Sequence, residues 1–392
     1  MTVPGGGEAR VVAARRVALI SSSFHPYPGG VEEHVRNVAR ELRVLGHEVV
    51  VWTVDRGEHL GTAMHDGVEV RYLPTPLPAA RPGAALRFLR DLPAAWSAWR
   101  RAFRDFRPDI LNIQCFGPNG IYALALHHRT GVPLVLSSHG ETFVDPEVFE
   151  QSRLLTAALT RALRDSALVT GCSALVLQDL RRHHPVDGVV VPNGVDLDEA
   201  GGPAPDRDER TILAVGRLVR VKGFDLLLRA FARARLDPGT RLVIAGDGPA
   251  RGELERLAAD LGVGDRVEFT GRLDRAGVVA SMAGAGMVVV PSRIEAFGIV
   301  VLEAWRSGAA LVATTRGGPA DIVTDGVDGI LVDPEDVDAL AAALARVAGD
   351  PALRQRLASA GRERVTSFTW QRTAVCYAAA FDGVTRGGGG HA

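Results

Sequence analysis

Short apolar runs separated by helix-length segments recur in two successive series along this chain, and few architectures accept such a pattern. Between residues 17 and 191 the runs VALIS, EVVVWT, VEVRYL, DILNIQ, PLVLS, ALVTG and GVVVP alternate with longer stretches such as the amphipathic segment 31–45. Strands joined through helix-length connections pair in parallel and carry helices on both faces. A second series starts afresh at TILAVG and continues through RLVIAG, RVEFTG, MVVVPS and ALVAT, with helical patterns at 224–234, 251–261 and 300–307 between them. Helical patterns at 337–347, 352–365 and 370–381 follow. The stretch 196–210 (DLDEAGGPAPDRDER) is polar and rich in Gly, Pro and Asp, and reads as the linker between the series. The expected fold is therefore α/β, two Rossmann-like doubly wound domains facing across a cleft, with ligands at the carboxyl ends of both sheets.

Length agrees, because 392 residues exceed what one core accommodates. A net charge of −1 gives no ground for a nucleic-acid partner. Cys115, Cys172 and Cys376 lie far apart with no pairing at metal spacing, which argues against a disulfide framework or a zinc site and for a reducing compartment. The run 17–20 after Arg10, Arg15 and Arg16 is too short for a signal-peptide core, and no other stretch reaches membrane-spanning length. A cytoplasmic location is the expectation. One bias stands out: of 45 basic residues only Lys222 is a lysine.

Four constellations carry candidate chemistry. Glu295 and Glu303, eight positions apart in PSRIEAFGIVVLEAWRSG, follow the run MVVVPS. There Glu295 sits in a strand-end loop, Glu303 lies inside the next helix, and the amides of Gly298, Ile299 and Val300 form an anion site at the helix start. In AVGRLVRVKGF, Gly216, Arg217 and Lys222 again stand between strand and helix, where Arg as a planar fork and Lys as a compact charge clamp a diphosphate. In a chain that writes Arg almost everywhere, the single Lys marks a place where an ammonium is required. Pro28, Gly29 and Gly30 let backbone approach a ligand before the first helix. His139 ends the apolar run LVLSS at the crevice. The acidic pair Glu141 and Asp145 after it could hold a polar or cationic acceptor.

These segments, with IAGDGP, VPNGVD and RGGPADIVTDGVDGILVDP, resemble the retaining glycosyltransferases of family 4, which have the GT-B fold. The resemblance covers nearly the whole chain and is densest over 191–334. It implies an acceptor-binding domain over 1–195 with the C-terminal helix 369–385 packing back on it, a nucleotide-sugar-binding domain over 196–368, and a disordered tail over 386–392. It implies a retaining hexosyl transfer from a UDP-sugar, or a GDP-sugar, to a small-molecule or glycan acceptor, with no cofactor and no metal. Glu295 would hold donor-sugar hydroxyls and Glu303 the ribose. Arg217 and Lys222 would neutralise the diphosphate, helped by Gly30, Gly298, Ile299 and Val300. Gly29, Gly216 and Phe297 would border the donor, His139 would line its sugar, and Arg272 and Leu273 would lie against the nucleobase. Two departures from the family pattern, Trp305 and Arg316, put donor specificity in question. The rivals are an epimerase or phosphorylase on the same fold, and a non-catalytic nucleotide-sugar-binding partner.

Other signals read as structural. The DxD pairs at 196/198, 206/208 and 336/338 fall in turns and a solvated helix, and Gly246, Gly248 and Gly252 miss the dinucleotide fingerprint by one residue. In 87–107, Trp96, Trp99, Phe103 and Phe106 recur at helical spacing beside Arg100, Arg101, Arg104 and Arg107. Such a helix either docks on anionic lipid or packs its aromatic stripe on the sheet, and packing is favoured because the stripe is no wider than a sheet requires.

Overall fold

A computed structural model describes residues 13–27, 29–78, 82–144, 146–198 and 207–387. The first eight strands are β1 (Arg16–Ser21), β2 (Glu48–Val54), β3 (Thr62–His65), β4 (Val68–Leu73), β5 (Ile110–Gln114), β6 (Leu134–Ser138), β7 (Leu168–Gly171) and β8 (Gly188–Val190). They form one sheet in the order β3-β4-β2-β1-β5-β6-β7-β8. The next six are β9 (Asp208–Val215), β10 (Arg241–Ala245), β11 (Val267–Gly271), β12 (Ala285–Val290), β13 (Ala310–Thr314) and β14 (Ile330–Val332), in the order β11-β10-β9-β12-β13-β14. The fold is thus two α/β sheets of doubly wound order, parallel except for the edge strand β3, and the strand order reverses between β1 and β5 in one and between β9 and β12 in the other. Crevices open at such switch points.

Alternate residues of each central strand feed opposite cores, the signature of a sheet covered on both faces. Ala18 and Ile20 of β1 join a cluster with Trp52 and Trp99, while Val17 and Leu19 join one with Val35, Val38 and Leu42. Ile212 and Ala214 of β9 face Phe224 and Phe231, and Leu213 faces Trp305.

Three features differ from the pattern reading. β3 pairs antiparallel with β4 through a tight turn at Asp66 and Gly67, both at positive φ. This edge hairpin is short and only partly buried, so it leaves little apolar signal, although Asp-Gly is a hairpin dipeptide. β9 begins at Asp208, inside the stretch read as linker, where the Asp208 carboxylate caps its own strand end, accepting from Arg210 N at 3.0 Å and Thr211 Oγ1 at 2.9 Å. Residues 199–206 lie outside the described residues. The helix expected after Pro93 starts earlier, at Pro82, and runs through Pro93 to Phe106.

On that helix Trp99 is fully buried, stacks on Tyr122 at 5.3 Å and meets Trp52 edge-on at 6.0 Å. Trp96, Phe103 and Phe106 pack against the same core, and Arg100, Arg101, Arg104 and Arg107 are exposed. The aromatic stripe thus faces protein. No helix among the described residues is long and apolar enough to cross a membrane.

The chain crosses between the sheets at residues 194–198 and returns at 366–370. The two passages touch: Val195 N donates to Phe368 O at 3.0 Å, and Val195 bridges Thr369. A Cβ on Gly194 would collide with the Thr369–Trp370 backbone. The last helix, Trp370–Gly387, then buries Trp370, Ala374, Tyr377, Ala378 and Phe381 against the helix Gly30–Val44 and the first sheet. It extends two residues past the expected 385, and 388–392 lie outside the described residues.

Candidate active site

The second sheet supplies the charged wall. β9 ends at Gly216, whose φ of 157° turns the chain toward Arg217 and a one-turn helix, Arg220–Lys222. Gly223 follows at φ 68°, and a Cβ there would run into the Pro291 carbonyl oxygen. Only glycine lets the loop after β9 lie directly on the end of β12. That approach places Lys222 Nζ 2.7 Å from Glu295 Oε2, an oxygen that also accepts from Ser292 Oγ at 2.8 Å. Arg217 is exposed, and its guanidinium has no partner among the described residues.

Glu295 is fixed by its backbone. Its amide donates to Arg316 O at 3.0 Å and its carbonyl accepts from Gly318 N at 2.8 Å. Gly317, at φ 121°, leaves no room for a Cβ beside that carbonyl. The residue is 9% exposed, and Oε1 accepts no hydrogen bond among the described residues. Three residues on, Gly298 at φ 90° opens the helix Ile299–Ser307 without a side-chain cap. The amides of Gly298, Ile299 and Val300 therefore point their hydrogens and the positive end of the helix into the cleft. Phe297 is buried under this turn. Glu303, one turn in, is half-buried and accepts no hydrogen bond among the described residues; burial raises its carboxyl above the usual range, partly opposed by Arg306 and Arg275.

Across the cleft the helix Gly30–Val44 starts with two exposed glycines, and a Cβ on Gly30 would lie 3.9 Å from Ile299 Cδ1. Two helix N-termini thus face each other. Pro28 lies outside the described residues. Arg275 Nη1 reaches over to Glu33 Oε1 at 2.5 Å, tying the two walls together beside Glu303. Arg272 is exposed after Gly271, and Leu273 packs with Val215 at the end of β9.

Around His139 the first-domain wall is neutral. His139 Nε2 lies 2.8 Å from Gln114 Oε1, and its ring contacts that of His34 edge-on at 4.4 Å. Burial pushes the His139 imidazole down to about 4 and holds His34 well below its ordinary range, so both rings are uncharged at neutral pH.

Several residues behave otherwise than their sequence context suggested. Glu141 is buried and accepts from Phe116 N, His139 N and Ser138 Oγ, each at 2.8 Å, so its carboxylate is consumed in holding the His139 turn and is not offered to an acceptor. Asp145 lies outside the described residues. Trp305 points away from the site, donating Nε1 to Asp328 O at 2.7 Å and packing where Gly361 leaves space. Arg316 forks onto Asp333 at 2.7 and 2.8 Å and does not face Glu295 with its side chain. Gly246 and Gly248 permit contact with the carbonyls of Gly216 and Leu218, which is packing and not phosphate binding. His34, Gln114, Asn193, Arg275 and Tyr377 surround the cleft but were not marked by sequence reasoning. His34 and Tyr377 sit on amphipathic stripes where a polar atom reads as a break in the pattern.

Two doubly wound sheets whose switch points meet at a cluster of cations, free helix amides and carboxylates define a GT-B glycosyltransferase. Residues 28–199 match "Glycosyltransferase Family 4" and residues 199–364 match "Glycosyl transferases group 1". The chain is 31% identical to a glycogen synthase of Mycobacterium tuberculosis over 95% of each chain. It is 34% identical to a D-inositol 3-phosphate glycosyltransferase of Frankia alni, over 88% of this chain and 92% of that one. The sucrose-phosphate synthase structure from Thermosynechococcus elongatus superposes with a TM-score of 0.79 over 95% of this chain and 99% of that one, at 23% identity. The protein belongs to glycosyltransferase family 4.

Proposed function

We propose that the enzyme is a retaining hexosyltransferase that moves a sugar from a nucleotide diphosphate carrier, a UDP-sugar before a GDP-sugar, to an acceptor hydroxyl without a metal. The observation that carries this reading is the meeting, at the β9/β12 switch point, of unpartnered Arg217, Lys222 and the Gly298–Val300 amides with two carboxylates that have free oxygens. Breaking the anomeric bond builds positive charge on the sugar and negative charge on the departing phosphate. Arg217, Lys222 and the helix amides offset the second charge from fixed positions, which lowers the barrier without reorganisation.

The Lys222–Glu295 pair need not open for this. An ammonium has three donors, so one stays on Glu295 Oε2 while the others meet phosphate oxygens, and Glu295 Oε1 is left for a sugar hydroxyl. Glu303, with no partner of its own, takes the ribose hydroxyls, and Arg272 and Leu273 border the base. Neutral His139 lines the sugar without opposing its developing positive charge. The acceptor oxygen attacks the face from which the phosphate leaves, its proton passing to the leaving phosphate oxygen, so configuration is retained.

A thermal-shift screen with UDP-, GDP- and dTDP-sugars, followed by product analysis, tests this. A donor at about a hundred times its dissociation constant adds roughly 2.7 kcal/mol. The expected result is the largest shift with a UDP-sugar and an α-linked product whose formation survives a chelator. A β-linked product, or complete loss with chelator, would overturn it.

A further inference from the structure

The last helix crosses back to the first domain and buries a phenol beneath the active site. Tyr377 is 1% exposed on a stripe otherwise made of Trp370, Ala374, Ala378 and Phe381. Packing alone would be served by phenylalanine, and a hydroxyl buried without use is costly. This hydroxyl lies 3.2 Å from His34 Nε2 and interacts with the side chains of Ser137, Gln114 and Thr170. Among the described residues, His34 and Gln114 are the side chains that meet the His139 ring.

The network assigns its own protons. Asn112 Nδ2 donates to Ser137 Oγ at 2.9 Å, which turns Asn112 Oδ1 toward Gln114 Nε2 at 2.6 Å. Gln114 Oε1 then faces His139, so His139 carries its proton on Nε2 and keeps Nδ1 as an acceptor. On the other side Asn193 Oδ1, 2.8 Å from His34 Nδ1, places the His34 proton there, so His34 Nε2 accepts from Tyr377. Every member except His139 is at most 6% exposed. A buried polar network of this kind holds its members in one arrangement when each is satisfied.

We propose that Tyr377, acting through His34, is a positioning residue that fixes the ring orientation of His139. The return of the C-terminal helix is then part of the active site as well as of the fold. The inference rests on the reading of His139 as a group that lines the donor sugar.

Tyr377→Phe keeps the ring and removes only the hydroxyl. In 15N spectra of the imidazoles, the His34 Nε2 signal should shift as its hydrogen bond is lost, while His139 keeps the Nε2–H tautomer that Gln114 imposes. With the donor selected by thermal shift, kcat should fall about fivefold, the worth of one hydrogen bond, with the donor KM within about twofold. In a His139→Ala background the same substitution should add no further loss, because coupled residues are not additive. An unchanged His34 signal and kcat, or losses that multiply, would overturn the positioning role. A His139→Ala enzyme as fast as the parent would instead overturn the sugar-lining reading itself, and the positioning role with it.

Discussion

The two walls of the cleft solve different problems with different chemistry. The second-domain wall carries charge: Lys222, Arg217 and the helix start at Gly298 face Glu295 and Glu303, and glycines at 216, 223, 298 and 317 bring their backbones together. The first-domain wall around His139 is neutral, because His34 and His139 are held uncharged among amides and hydroxyls. Where a ligand brings a diphosphate, the protein keeps cations partly exposed so that desolvation does not cancel their attraction. Where it brings a sugar on which positive charge develops, a neutral acceptor held by a satisfied network is the better neighbour.

The sharpest way to break the comparison is within the charged wall. Glu295→Gln should lower turnover by about a hundredfold or more while nucleotide affinity stays within about twofold, since its free oxygen is assigned to the sugar. Glu303→Ala should instead weaken the nucleotide about tenfold. Steady-state rates and nucleotide titrations that moved together in both variants would erase the division between the two glutamates.

Next in size is the backbone that builds that wall. Gly223→Ala meets both a positive φ and the Pro291 carbonyl, and should cost about 1–3 kcal/mol with loss of transfer. Gly252 has nothing within 4 Å of its Cβ direction and ordinary φ, so Gly252→Ala should stabilise by roughly 0.5 kcal/mol. Denaturant midpoints that shifted alike would show that the close approach of loop and strand is not required.

Much of the charged wall was legible beforehand because its residues are contiguous: a strand run, a glycine and a charged residue announce a loop at a sheet end. Lys222 was visible through composition alone. The neutral wall was legible only in His139. Its members come from the helix Gly30–Val44, β5, β6, the Asn193 segment and the helix Trp370–Gly387, and nothing local links His34 to Tyr377 across 343 positions. Glu141 shows the converse error, since an acidic residue beside a site histidine reads as a ligand contact until its three donors are seen. The hairpin at Asp66 and Gly67 was missed because a half-exposed edge strand lacks an apolar run.

The neutral wall makes the smallest prediction, in stability. His34 and His139 resist protonation when folded, while the unfolded chain takes up protons as pH falls through 6.5. Stability is therefore unaffected by them above that value and falls as pH drops toward 4. Glu141 and Glu303, whose carboxyls are raised by burial, act in the opposite direction, but equally in a variant that retains them. The drop in melting temperature between pH 7 and pH 5 should thus be smaller in His34→Asn than in the parent by about 3 °C. Parallel curves would contradict a neutral His34.

The central claim is that Lys222 serves the diphosphate of a donor and not its nucleoside. Calorimetric titration of UDP and uridine, and of GDP and guanosine, into the parent enzyme and Lys222→Ala tests it most directly. The account predicts that the variant loses about tenfold or more in affinity for the preferred diphosphate and less than about twofold for its nucleoside. Equal losses for both ligands would contradict it.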